Sequence, residues 1–218
     1  MMSLETMLLN LPFYQLINIC ALILSVINFS KSKSGLPFFP LFLILLVFLE
    51  TYIKSYWNIH YKTNHLILNI TAAYVIFYYL YVFYDHFKEK KLKNIIPVLA
   101  FIYILLFIFR VDFDVKSLKL EKFTYLVGIT FVILLIIKYF YDILYVDHYR
   151  SITKDSLFYF SLGIFLFYVS CFPTIVSFEK ISQTDFFSQL LVKLLHIGNI
   201  FLSLGYLGAV LCMTKQNK

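Results

Sequence analysis

Ionisable side chains interrupt two of the most apolar stretches of this sequence. Glu50 follows an unbroken apolar run that begins at Leu41, and Lys54 comes four positions later. Glutamate before lysine at this spacing is the favourable order for a same-face ion pair on an α-helix. Lys193 and His196 are three positions apart within another apolar stretch, so they would also share a helical face. Such groups inside a membrane can bind a polar solute, conduct ions or transfer protons.

Further polar side chains are predicted at the depth of these residues. A rise of about 1.5 Å per helical residue places Glu50, Lys193 and His196 roughly 8–13 Å below one membrane surface. The same estimate places there Gln15, Asn18, Asn69, Thr71, Ser170 and Thr174. We therefore predict a polar cavity in the outer half of the membrane, a ligand or ion pathway centred on Glu50, Lys193 and His196. The alternative is a structural network, with Lys54 and Lys193 extending toward the lipid headgroups.

A second polar set is predicted in the inner half of the membrane. The segments "YDHFK" (84–88) and "VDHYR" (146–150) share one pattern, which supplies Asp85, His86, Asp147 and His148. An aspartate beside a histidine can hold a metal or relay protons. The simpler interpretation is that cationic side chains suit a helix C-terminus and tyrosine suits the membrane interface. Lys138 and Asp142, four positions apart, are predicted to pair and to face the bundle.

The composition defines the kind of element that positions these residues. Of the 218 residues, 61% are hydrophobic and only 14% are charged. A soluble domain is nearer 45–50% apolar and about 25% charged. The chain is therefore predicted to be an all-α, multi-pass membrane protein, because spans exposed to lipid must satisfy their own backbone hydrogen bonds.

Seven stretches are long enough to cross the membrane as helices. They cover residues 9–30, 36–57, 65–86, 94–110, 123–146, 156–177 and 188–212. The short connections leave no room for a soluble domain, so residues 1–218 are predicted to form a single seven-helix domain. Ten lysines and arginines fall on one side and six on the other, which favours an outer N-terminus and an inner C-terminus. Pro97 is expected in the first turn of the fourth helix, where its missing N–H matters little.

Helix packing is expected to rely on aromatic side chains. The chain has 25 Phe and 18 Tyr but only six Gly. Close contact through small residues is therefore not expected to dominate. Aromatic packing and hydrogen bonds from tyrosine hydroxyls are the predicted alternative.

The charges predict the partners of the chain. A net charge of +7 is attributed to loops that set topology and touch anionic lipids, so no specific nucleic-acid binding is expected. The segment 87–94, "FKEKKLKN", carries four lysines and is predicted to be a cytoplasmic docking surface for a protein partner. A homo-oligomer is a further expectation. No motif indicates a cofactor or a bound metal.

Three kinds of seven-helix membrane protein do not match these residues. Retinal proteins carry a lysine in the middle of helix seven, whereas Lys193 lies near the end of its span. Ceramidase-like hydrolases bind zinc through a His-x-x-x-His pair in the last helix, where this chain has His196 and Ile200. Small sugar transporters carry Pro-Gln or Pro-Asn pairs, and this chain has neither dipeptide. The last absence weakens a transport function without excluding it, and no family is identified.

Three functions follow from these observations. The first is a non-enzymatic sensor, regulator or effector of the bacterial inner (cytoplasmic) membrane, which acts through partners or its own oligomer as an accessory of signalling or antiviral defence. The second is a transporter or channel for a small solute or ion, with its site in the outer polar layer. The third is a lipid-modifying enzyme that uses Glu50 and His196 as an acid–base pair. It requires these two side chains within hydrogen-bond reach.

Overall fold

The computed structural model describes residues 12–28, 36–53, 56, 65–113, 121–145, 152–177 and 186–215. Seven helices and no strand occur within these residues. The helices are α1 Phe13–Ile27, α2 Phe39–Val47, α3 His65–His86, α4 Lys90–Arg110, α5 Lys122–Tyr145, α6 Ser156–Ser177 and α7 Phe186–Lys215. A π-helical segment, Phe48–Ile53, continues α2, and a short 3₁₀ turn, Ile152–Lys154, precedes α6.

Five of these helices, α3 to α7, are long and apolar enough to cross a membrane. The predicted all-α membrane fold with seven helices is therefore confirmed. The bounds of α3 and α6 coincide with the predicted spans, and the other bounds differ by a few residues. In the described part of the chain, α1 and α2 with its π-helical segment are shorter apolar helices.

Acidic residues stand immediately before three helices. Glu89 precedes α4, Glu121 precedes α5 and Asp155 precedes α6. The Asp155 carboxylate accepts a hydrogen bond from the Leu157 N–H at 3.0 Å, and negative charge at a helix N-terminus interacts favourably with the helix dipole. Since α4 begins at Lys90, Pro97 lies inside the helix rather than in its first turn, and this expectation was wrong.

The chain divides into two compact units, and the prediction of a single domain stays a prediction. Unit 1 comprises residues 1–35 and 151–218, so it contains α1, α6 and α7. Unit 2 comprises residues 36–150 and contains α2 to α5. Among the described helices, α1 is therefore grouped with α6 and α7.

Unit 1 depends on close contact between glycines. A Cβ added to Gly163 of α6 would lie 2.7 Å from the Cα of Gly205 of α7, and one added to Gly205 would lie 2.6 Å from the Cα of Gly163. A Cβ on Gly198 would lie 2.7 Å from the Sγ of Cys171. Small residues thus let α6 and α7 approach closely in unit 1, contrary to the expectation from the low glycine content.

Unit 2 follows the aromatic pattern that the composition predicts. The rings of Phe42 in α2 and Tyr78 in α3 stack with centroids 3.9 Å apart. The Tyr78 hydroxyl donates to the Pro37 carbonyl at 3.1 Å, and the Tyr74 hydroxyl donates to the Phe42 carbonyl at 3.2 Å. These contacts show that α2 and α3 are antiparallel, because earlier residues of α2 meet later residues of α3.

Candidate functional site

Four polar side chains of unit 2 meet where α5 begins. We define the Glu121 cluster as Asn69 of α3, Arg110 of α4, Glu121 immediately before α5, and Thr124 of α5. The Glu121 carboxylate accepts hydrogen bonds from Arg110 Nε at 3.1 Å and from the Thr124 N–H at 3.4 Å. The backbone N–H of Glu121 donates to Asn69 Oδ1 at 3.2 Å. One residue therefore caps α5 and links it to both neighbouring helices.

The Glu121 cluster extends from the surface of unit 2 into its interior. The side chain of Arg110 is 52% exposed and that of Glu121 is 20% exposed. The guanidinium also lies 4.8 Å from the centre of the Phe123 ring, within the range of a cation–π contact. Asn69 and Thr124 are buried, with 5% and 2% of their surface exposed. The cluster thus has the Arg110–Glu121 ion pair nearer the surface and two polar side chains in the interior.

Two atoms of the Glu121 cluster have no hydrogen-bond partner among the described residues. They are Asn69 Nδ2 and Thr124 Oγ1, and both are buried. A buried polar atom without a partner costs about 1–3 kcal/mol, and native structures contain few of them. The cluster therefore combines two enclosed polar atoms with an ion pair nearer the surface.

Glu50 lies in a π-helical turn at the end of α2. The helix is α-helical to Val47 and π-helical over Phe48–Ile53, and the Thr51 hydroxyl donates to the Val47 carbonyl at 2.5 Å. In a π-helix the hydrogen-bonded residues are five apart rather than four. The α-helical argument for pairing Glu50 with Lys54 therefore does not apply to this segment, and Lys54 lies outside the described residues.

Glu50 and Asn69 lie at a similar level of unit 2. The tyrosine bonds between α2 and α3 fix an antiparallel register, and the π-helical segment contacts α3. Continuing that register places Glu50 beside the first two turns of α3, where Asn69 is found. Of the outer polar residues predicted from the sequence, Glu50, Asn69 and Thr71 belong to this end of unit 2.

A second ionic network lies at the other end of α5. Lys138 Nζ is 2.5 Å from Asp142 Oδ1 and 3.0 Å from Glu89 Oε1. The predicted ion pair of Lys138 and Asp142 is confirmed, and Glu89 adds a partner from the α3–α4 connection. The His86 ring makes an edge-on contact with Tyr139 of α5 at 5.2 Å between centroids. These contacts attach the end of α3 and the start of α4 to α5.

The segment 87–94, which we call the basic turn, has a defined structure. Phe87 is buried, and its ring stacks on Phe83 with centroids 5.9 Å apart. The Lys93 ammonium lies 5.6 Å from the centre of the Tyr84 ring. The exposed lysines of the turn are Lys88, Lys90 and Lys91. The turn therefore presents three ammonium groups from a backbone anchored by Phe87 and by the pairing of Glu89 with Lys138.

The predicted site residues of unit 1 differ in burial. Gln15 and Asn18 are buried on α1, which packs against α7, and Asn18 Oδ1 has no hydrogen-bond partner among the described residues. Lys193 and His196 are exposed on α7. Exposure of Lys193 agrees with the interpretation that it extends toward lipid headgroups.

The remaining predicted site residues are dispersed. Asp85 is exposed at the end of α3, beside the half-buried His86. Asp147 and His148 lie outside the described residues. Within the described ranges, no group of three or more His, Cys, Asp or Glu side chains could hold a metal ion. Glu50 belongs to unit 2 and His196 to unit 1, and their acid–base pairing stays a prediction.

Sequence reasoning missed most of the Glu121 cluster. The sequence singles out Asn69 within an apolar span, whereas Arg110, Glu121 and Thr124 lie near span ends, where polar and charged residues are ordinary. A signal was present, because an acidic residue directly before a long apolar run is a favourable helix start. Its contact with Asn69, 52 positions earlier in the chain, depends on tertiary packing.

The fold and these polar clusters together define a helical membrane protein, five of whose described helices are long and apolar enough to cross a membrane. Its charged groups are concentrated near the helix ends, as in proteins whose apolar helices are embedded in lipid. No protein-family model matches the chain, and no curated protein or solved structure matches it.

Proposed function

We propose that this protein is a non-enzymatic sensor or regulator that acts through a protein partner docked on the basic turn. In this proposal it spans the bacterial inner membrane seven times, with its N-terminus outside and its C-terminus in the cytoplasm. The excess of basic residues on the inner segments supports that orientation. Signalling and antiviral defence are the settings in which such a component would act.

The observation that carries this proposal is the fixed geometry of the basic turn. A lysine that only sets topology needs no defined conformation. Here Phe87 is buried, Glu89 pairs with Lys138, and the next two lysines are in the first turn of α4, so all three exposed lysines extend from an ordered backbone. A surface ordered before binding loses less conformational entropy when a partner docks. The three exposed ammonium groups favour an acidic segment of that partner.

Site-specific photo-cross-linking in the membrane tests this docking surface. A photo-reactive phenylalanine analogue would replace Lys91 in the full-length protein, and the same analogue at Phe101, an exposed position within α4, provides the matched control. We expect Lys91 to give one discrete protein adduct that Phe101 does not give. Adducts with lipid alone at both positions would contradict a protein partner, and an adduct with a second copy would identify a homo-oligomer instead.

A binding measurement with the identified partner completes the test. Replacing Lys88, Lys90 and Lys91 with glutamine should weaken the binding of the purified partner by about three- to a hundredfold, since each exposed charge pair contributes about 0.2–1 kcal/mol. Lys154→Gln removes an exposed charge elsewhere and should leave affinity unchanged. Equal affinity for the triple variant and the parent would remove the basic turn from the proposal.

The π-helical turn that contains Glu50 favours a solute or ion pathway as the second candidate function. Such turns recur at functional sites. A carboxylate within an apolar span is energetically costly, and the carboxylates that do occur there mostly have a function. In proteoliposomes, Glu50→Gln should reduce flux of the transported species strongly, whereas Thr130→Val should not. Flux that is the same in Glu50→Gln and the parent would exclude Glu50 from the pathway.

A further inference from the structure

Exposed aromatic side chains and a lysine form a continuous patch at the end of unit 2 that holds the basic turn. The ring of Phe38, just before α2, lies 6.3 Å from the ring of Tyr81 in α3, measured between centroids. Tyr84 follows Tyr81 by three positions and shares its face of α3. The Lys93 ammonium of α4 lies 5.6 Å from the centre of the Tyr84 ring. We call these four residues the tyrosine–lysine patch, and all of them belong to unit 2.

The fold holds Phe38 at this surface. Its φ of 53° lies in the left-handed region, which a bulky side chain rarely adopts. The residues around it are fixed, because Leu36 and Phe39 are buried and the Pro37 carbonyl accepts from the Tyr78 hydroxyl. The Phe38 side chain is nevertheless 62% exposed. The patch therefore has an ordered aromatic edge that faces outward from the protein.

Lys93 differs from a second lysine of unit 2 that lies over a tyrosine ring. The Lys138 ammonium is 5.9 Å from the centre of the Tyr141 ring, and it is also paired with Glu89 and Asp142. Among the described residues, Lys93 has no carboxylate partner. Its ammonium carries three N–H donors, and a contact with a ring face leaves them able to bind an acceptor. The charge of Lys93 can therefore interact with an anion.

The position of the tyrosine–lysine patch indicates the kind of ligand. Both α3 and α4 are long and apolar enough to cross a membrane, so the ends that they share lie at the level of the lipid headgroups. A lipid phosphate can accept from the Lys93 ammonium and the Tyr84 hydroxyl at that level. An acyl chain can lie along Phe38 and Leu41, which are exposed and one helical turn apart.

The charge around the patch selects among phospholipids. Lys88, Lys90 and Lys91 lie in the same turn and are exposed, as is one carboxylate beside Tyr84, that of Asp85. The lysines outnumber this carboxylate, so the local potential is positive. A net negative headgroup is attracted by such a potential, whereas the cationic group of phosphatidylcholine is not.

We propose that the tyrosine–lysine patch binds an anionic phospholipid. Lys93 and Tyr84 contact its phosphate, and Phe38 and Tyr81 contact its glycerol and acyl chain. The inference goes beyond the docking proposal and does not depend on it. Docking uses the three exposed lysines of the basic turn, whereas lipid binding requires no partner protein and can be measured on the purified chain.

Competition between two lipids tests this binding. The purified full-length protein in mild detergent receives equal amounts of phosphatidylglycerol and phosphatidylcholine with the same acyl chains. Excess lipid is removed by gel filtration, and the lipids that remain bound are extracted and quantified by mass spectrometry. We expect the parent protein to retain mainly phosphatidylglycerol. An excess of inorganic phosphate should not displace it, because free phosphate lacks the acyl chain.

Substitutions locate the binding in the tyrosine–lysine patch. Lys93→Gln should lower the retained ratio of phosphatidylglycerol to phosphatidylcholine about fivefold, the effect of one lysine near an anionic headgroup. Tyr84→Phe keeps the ring and removes the hydroxyl, so it should also lower the ratio. Tyr141→Phe is the matched control and should leave the ratio unchanged, because the lysine over that ring is already paired with two carboxylates. Asp85→Asn removes the opposing charge and should raise the ratio.

Four results would overturn the proposal. The first is equal retention of the two lipids by the parent protein. The second is an unchanged ratio in Lys93→Gln, which would place the binding elsewhere. The third is an equal decrease in Tyr84→Phe and Tyr141→Phe, which would indicate a general effect of exposed tyrosines. The fourth is displacement of the lipid by inorganic phosphate, which would assign the patch to free phosphate.

Discussion

The ammonium of Lys138 lies 3.0 Å from the carboxylate of Glu89, although the two residues are 49 positions apart in the sequence. Lys138 belongs to α5, and Glu89 stands in the basic turn immediately before α4. The same ammonium pairs with Asp142 within α5. A single lysine therefore attaches the basic turn to a helix that follows it in the chain.

Lys138→Met should loosen the basic turn. It leaves the carboxylates of Glu89 and Asp142 without this cation, and the expected loss of stability is about 0.2–1 kcal/mol for each exposed pair. Unfolding of the Lys138→Met and Glu89→Gln variants, alone and combined, would give the coupling energy of the pair. Lys193→Met is the matched control, because Lys193 is exposed on α7. Independent, additive effects of the two substitutions would contradict a functional ion pair.

Gly205→Ala should destabilise unit 1. The added Cβ would lie 2.6 Å from the Cα of Gly163, and a backbone atom cannot move aside as a side chain can. Overpacking of this kind costs about 1–3 kcal/mol. Gly208→Ala provides the control on the same helix, since its Cβ would lie 3.1 Å from the Tyr159 ring. Thermal unfolding should show a clear loss for Gly205→Ala and a smaller change for Gly208→Ala, and equal changes would refute close backbone contact.

Thr174→Val should weaken the attachment of α6 to α7. The Thr174 hydroxyl is buried and donates to the Leu191 carbonyl at 2.9 Å. Hydrogen bonds between membrane helices contribute about 0.6 kcal/mol on average. In Thr130→Val the lost bond is to Leu126 within α5 itself, so no contact between helices changes. Thr174→Val should therefore show the larger decrease in unfolding midpoint.

Cysteine labelling should establish the orientation in the membrane. In a variant whose native cysteines are replaced by alanine, Phe113→Cys should react with a membrane-impermeant maleimide in intact cells. Lys91→Cys should react only after the membrane is permeabilised. Both positions are exposed in unit 2, so accessibility within the fold does not limit the comparison. The reverse pattern would show that the N-terminus is inside.

Local chemistry made the helices predictable. Long apolar runs separated by charged segments define spans, since lipid and water impose different compositions on the chain. The bounds of α3 and α6 were predicted correctly for this reason. The predicted start of α4 is four residues late. Four lysines in a short segment indicate a loop, whereas the helix begins at Lys90, directly after Glu89.

Contacts between helices were less predictable. Six glycines in 218 residues say little about where they meet, and the approach of Gly163 to Gly205 depends on the register of two helices. Nothing in the sequence indicates the π-helical turn at Glu50 either. It changes the hydrogen-bond spacing without changing the apolar composition of the span.

The candidate site was predicted in part. Asn69 and Glu50 were selected because polar residues within apolar spans are rare, and that argument requires only the sequence. Arg110 and Glu121 occur at span ends, where charges are ordinary, and the helix-start signal of Glu121 does not indicate that it pairs with Arg110. Their pairing at 3.1 Å appears only in the folded unit.

The grouping of α1 with α6 and α7 has a consequence for how the protein is made. Helix α1 must wait for α6 and α7 while residues 28–155 are synthesised. At roughly 5–20 residues per second, the delay between α1 and α7 is on the order of ten to thirty seconds. Three polar side chains of α1 are buried in the folded protein: Gln15, Asn18 and Ser25. During that time the insertion machinery must keep them out of contact with lipid. A chain that stops after α5 would leave these polar side chains without the helix that α1 packs against.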